Sequence, residues 1–124
     1  MYATVTPSTD LIRVTISNSV TFSVDFYCDY ITSTGVLKGQ HGFITSNTPT
    51  ALIQSPSVGQ TNQMQALSIY LTSASAGSVT VTIDYYDGSN PYPIYVISLP
   101  QDYTLTYTAD GSGWQVYDTN GDRL

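Results

Sequence analysis

Glutamate is absent from the 124 residues and lysine occurs once. Charged residues make up 10% of the chain, and all nine acidic ones are aspartate. Helices draw on Glu, Lys, Ala and Leu, whereas strands favour β-branched and aromatic residues. The shortage therefore excludes a helical bundle, a coiled coil and an α/β fold with long crossover helices. Basic residues are equally scarce. Arg13, Lys38 and Arg123 lie far apart in sequence, the net charge is −6 and the pI is near 4.1. A phosphate-binding surface needs clustered Lys and Arg, so neither nucleic acid nor an anionic membrane is expected as a partner.

Cysteine is almost as rare. Cys28 stands alone, which leaves no internal disulfide. It falls in the alternation Val20, Phe22, Val24, Phe26, Cys28, Tyr30, the place of a small buried apolar residue. One Cys and one His cannot supply the usual zinc ligands, and no cofactor is expected. No apolar run approaches the roughly 20 residues of a membrane span. The start, Met1-Tyr2-Ala3-Thr4, has neither a basic nor an apolar signal region. The expectation is a soluble protein made in the cytosol of the cell that produces it.

Serine and threonine number 33, tyrosine 11, and hydrophobic residues make up 41%. That is too apolar for a disordered chain. A chain of this length is one domain, burying about two-thirds of its unfolded surface.

Period-two alternation runs nearly end to end. Residues 1–10, with Pro7 and small polar side chains, read as an extended N-terminal arm or a first edge strand. Residues 11–124 read as one domain. Leu11 to Ser17 puts Ile12, Val14 and Ile16 on one face. Thr21 to Ile31 is the clearest strand, with Asp25, Tyr27 and Asp29 on its wetter face. Glycines and prolines break 32–63 into short pieces, with strands expected at 42–45 and 51–54.

From Met64 the pattern sharpens. Leu67, Ile69 and Leu71 alternate with Ser68, Tyr70 and Thr72. Val79, Val81, Ile83 and Tyr85 alternate with Thr80, Thr82 and Asp84. Tyr92 to Leu99 is apolar on both faces, which suggests a central strand or an interface. Tyr103, Leu105 and Tyr107 precede the turn Ala109 to Gly113, whose two glycines suit positive φ. Trp114 and Val116 then share a phase, placing the indole beside Tyr107 or Tyr103. Residues 118–122 have turn chemistry and are expected to fray. Eight or nine short strands and no helix make an all-β, antiparallel two-sheet β-sandwich; a jelly roll is one arrangement open to it.

No catalytic set accompanies this pattern. His41, the one imidazole, sits in the Gly-bracketed Lys38-Gly39-Gln40-His41-Gly42, read as a surface loop. There is no G-x-S-x-G elbow. The aspartates fall mostly where Asp caps turns, not as the fixed carboxylate pair of a glycosidase. Asp84, Asp87 and Asp110, or Asp118 with Asn120 and Asp122, offer hard oxygens to Ca²⁺ without EF-hand spacing. Solvated turn residues are the simpler reading. An enzyme is not expected.

Tyrosine carries more information. Tyr85, Tyr103 and Tyr107 share the apolar phase and read as core. Tyr27, Tyr70 and Tyr117 fall on the polar phase, and Tyr86, Tyr92 and Tyr95 flank the turn at 87–91. Interfaces are enriched in tyrosine, and aromatic faces also stack on sugars. These six are the candidate interaction residues.

The stretch Leu99-Pro100-Gln101-Asp102-Tyr103-Thr104-Leu105-Thr106-Tyr107, then Asp110-Gly111-Ser112-Gly113-Trp114-Gln115-Val116-Tyr117-Asp118 and Asn120-Gly121, resembles the C-terminal part of small tailed-bacteriophage virion proteins. The strands Leu67 to Tyr70 and Ser78 to Ile83 are similar to that family's strand, Ser/Ala-rich turn, strand unit. Gln101-Asp102 stands where a Gly-Glu turn is expected. The likeness covers about residues 64–121, and its specific part is the D-G-x-G-W hairpin. It implies a structural subunit of the virion, assembled in the host cytoplasm. The first choice is a capsid decoration (cement) protein on the head, homo-oligomeric and bound to the major capsid protein. A tail or neck accessory subunit is the alternative within that class. A carbohydrate- or receptor-binding module, with outward Tyr and Trp114 stacking on glycan, is the rival outside it.

Overall fold

Alternation becomes burial wherever a strand has one face on the core. Ile12, Val14 and Ile16 are fully buried while Leu11, Arg13 and Thr15 between them are only partly covered. A computed structural model describes residues 4–5, 9–17, 23–44, 47–73 and 78–124. Phe22 and the start of the strand expected from Thr21 lie outside them.

The strands are β1 (Thr4–Val5), β2 (Leu11–Ile16), β3 (Ser23–Thr32), β4 (Leu37–Ile44) and β5 (Thr50–Ile53). They continue as β6 (Asn62–Ser73), β7 (Ser78–Tyr86), β8 (Pro91–Pro100), β9 (Thr104–Thr108) and β10 (Gly113–Tyr117). Among the described residues there is no helix. All pairings are antiparallel. One sheet has the order β10-β9-β6-β3-β4, and the other β5-β2-β7-β8. Their inner faces meet in one core, so the architecture is a two-sheet antiparallel β-sandwich.

Within 1–10, β1 pairs with β6 through Thr4–Gln63 and Val5–Asn62. Asp10 is buried, accepting hydrogen bonds from the Tyr85 and Thr9 hydroxyls, while the Ser55 hydroxyl donates to its carbonyl. The described part of this segment is thus tied to the sandwich at both ends.

Three expectations are corrected. First, β4 begins at Leu37 and runs through both glycines, so His41 lies in a strand and not in a loop. Both glycines lie close against side chains of β3. A Cβ on Gly42 would lie 3.3 Å from the Phe26 ring, and one on Gly39 would lie 3.1 Å from the Asp29 carboxylate. Second, of the two places open to Tyr92–Leu99, a central strand or an interface, the central one is excluded, because β8 is an edge strand. Proline, which cannot donate to a ladder, stands at 91, 93 and 100 in it, as suits an edge.

Third, residues 118–124 fold back instead of fraying. The Asp118 carboxylate accepts from the Asn120 and Asp122 amides, Tyr117 bridges to Arg123, and the Leu124 amide donates to the Val116 carbonyl. In β6, Leu67, Ile69 and Leu71 alternate with Ser68, Tyr70 and Thr72 as expected. Before that run the register shifts between Asp29 and Tyr30 of β3, so Met64 and Leu67, three positions apart, both face the core.

The turn reading at 109–113 agrees with the backbone. Gly111 has φ 104° and Gly113 has φ 68°, values that glycine adopts without strain.

Candidate interaction face

The two sheets leave different surfaces to solvent. On the larger sheet, the register aligns outward side chains into three rows across five strands. The first row is Tyr117, Thr104, Tyr70, Asp25 and Phe43. The second is Gln115, Thr106, Ser68, Tyr27 and His41. The third is Gly113, Thr108, Ala66, Asp29 and Gly39. None of these residues is buried, Phe43 is 74% exposed and Tyr27 48%. Lys38 is absent from the rows because it shares the phase of Gln40, whose amide reaches across to the Leu52 carbonyl of β5. No lysine or arginine stands in the array.

Carboxylates shape this face. Asp102, at φ 66°, accepts the Tyr70 hydroxyl at 2.9 Å. As acceptor it pushes that phenol above its ordinary range, and Asp29 does the same to Tyr27. The Tyr117 hydroxyl donates to the Gln115 side chain. One Asp25 oxygen, Oδ1, is buried with no hydrogen-bond donor. Phe43 lies within the face and escaped the sequence reading. Its signal was available, because the strand expected at 42–45 contains it, but tyrosine alone supplied the candidates.

Of the six tyrosines selected from sequence, the structure brings Tyr27, Tyr70 and Tyr117 together on this face. Tyr86 lies on the outer side of the smaller sheet, where the Arg13 guanidinium sits 3.9 Å from its ring centroid and pairs with Asp84 at 3.0 Å. Tyr92 is exposed by the β7–β8 turn and donates to Asp87. Tyr95 has the inner phase, opposite Ile83. Its ring stacks on Trp114 with centroids 4.7 Å apart and planes 8° from parallel.

Tyr107 packs against the same indole at 4.9 Å, as the shared phase predicted. Tyr95 and Trp114 line a groove of about 550 Å³ between β8 and β10, with Ile97, Tyr103 and Arg123 among its other walls. With two rings already packed on it, the indole is a core cap and not a free platform. Replacing Tyr95 with Ala should remove one cover and cost about 1–2 kcal/mol, the stacking energy plus buried area. Acrylamide should then quench Trp114 more strongly than in the native protein; equal quenching would mean that Tyr95 does not shield it.

The Ca²⁺ candidates do not assemble. Asp84 is taken by Arg13, and Asp87 and Asp110 cap their own turns. Backbone amides of Asn90 and Ser89 hold Asp87 below the usual carboxylate range, and that of Ser112 does so for Asp110. Among the described residues no three His, Cys, Asp or Glu side chains gather as metal ligands. Cys28 is buried, and desolvation pushes its thiol up to about 12, so it is a packing residue with little thiolate. Comparison with known proteins finds no matching family model, no matching curated protein and no matching solved structure.

Proposed function

We propose that the chain is a non-enzymatic structural subunit of a tailed-phage virion, a capsid decoration (cement) protein acting through contacts. The observation that supports this reading best is the open array on the larger sheet. It is broad, free of lysine and arginine, and carries exposed Phe43 beside Tyr27. Exposed aromatic side chains on an open sheet face suit binding to another protein. The likeness of the 110–114 hairpin to virion proteins supplies the setting. In this reading a closed homo-oligomer sits at a local symmetry axis of the capsid and bridges neighbouring subunits of the major capsid protein.

A tail or neck place is the second reading, and copy number separates the two. Mass spectrometry with quantification on purified particles should find hundreds of copies per virion. A count of about six or twelve would move the protein to the tail. Absence from particles would overturn the virion reading. The rings packed on Trp114 weigh against that indole as the sugar platform of the carbohydrate-binding rival.

A further inference from the structure

From the same face we infer the chemistry of the partner: it is a protein surface that presents arginine or lysine side chains. This deepens the docking role proposed above and rests on it. Five strands about 4.8 Å apart span about 19 Å, and the outer rows lie about 14 Å from each other. With side chains at the rim that is roughly 450 Å², over half of the ~800 Å² a partner contributes to a standard interface.

Charge selects among occupants. Asp25 and Asp29 stand in the array, and Asp102 adjoins it through Tyr70. The only side chain in the three rows able to become cationic is His41. Tyr27 and Phe43 lie beside these carboxylates, and aromatic faces attract cations as well. A second copy of the chain fits poorly. An isologous pairing joins two copies of the same acidic patch, and the His41 of each copy is the one cationic group in the rows to set against the other copy's Asp25 and Asp29. Nucleic acid is repelled for the same reason.

The test uses the whole isotope-labelled protein and two probes, a tetra-arginine amide peptide and neutral maltohexaose. The peptide should shift the amide signals of Asp25, Tyr27, Asp29 and His41, and the shifts should fade as salt rises from about 50 to about 300 mM. Asp25→Asn with Asp29→Asn should weaken binding about fivefold, while the other turn carboxylates remain. Shifts confined to the acidic turns at Asp110 and Asp118 would overturn the inference. So would shifts on the face caused by maltohexaose and not by the peptide. The same double variant is then scored for incorporation into particles, where reduced incorporation is expected and unchanged incorporation would overturn the inference. Absence of the native chain from particles would sink the virion role instead, while the peptide result still reports on the face.

Discussion

Phe26→Ala should lower unfolding stability by about 3–5 kcal/mol, a large share of what a small domain has. The ring is 8% exposed and lies between Ile69 of β6 and Gly42 of β4. Glycine opposite a large aromatic removes the usual route to relaxation, because no side chain at 42 can move into the space. The loss should therefore fall in the upper part of the range. Urea unfolding reads it as a lower midpoint with an unchanged slope. A loss under about 1 kcal/mol would mean that the ring does not fill the core. Gly42→Ala tests the same contact from the other side. Its Cβ would sit 3.3 Å from the Phe26 ring, so the ring must give by a few tenths of an ångström. A smaller cost of about 1 kcal/mol is expected.

The second large effect is expected on the smaller sheet. Asp84 is 4% exposed although it has the outward phase, because Arg13 covers it. The guanidinium donates from Nε at 3.0 Å and from one terminal nitrogen at 3.4 Å, and stacks over Tyr86. Arg13→Met keeps an apolar stem but leaves a buried carboxylate without its counter-charge. Removing one partner of a buried pair costs about 3–5 kcal/mol. The Arg13 side chain is 17% exposed, so about 3 kcal/mol is the expected value here. Adding Asp84→Leu should restore most of it, since an apolar pair of similar volume carries no desolvation cost. The cycle of single and double variants isolates the coupling. A loss below about 1 kcal/mol for Arg13→Met would show that solvent screens the pair.

The two effects differ in how they could have been foreseen. Phe26 was placed in the core by alternation alone, since each strand records its own in–out phase residue by residue. The pairing of Arg13 with Asp84 spans 71 positions and follows only from β2 lying beside β7. The interaction face divides in the same way. Tyr27, Tyr70 and Tyr117 were each legible as outward, yet nothing local said that β3, β6, β9 and β10 lie side by side and put them on one surface. Tyr95 went to the groove instead, because it shares the phase of Ile97 and Leu99 and pairs with the inward Ile83 of β7.

Composition and the period of two were enough to determine an all-β chain, the phases of β2, β7 and β9, and a glycine turn before Trp114. These are properties of a residue and its near neighbours, so the sequence carries them directly. The tertiary structure alone decided the strand order, the shifted phase of Met64, the edge position of β8 and the survival of β4 through two glycines. Each depends on which strand lies alongside. That choice is made by long-range packing: an aromatic ring from β3 over a glycine of β4 stabilises what the local sequence disfavours.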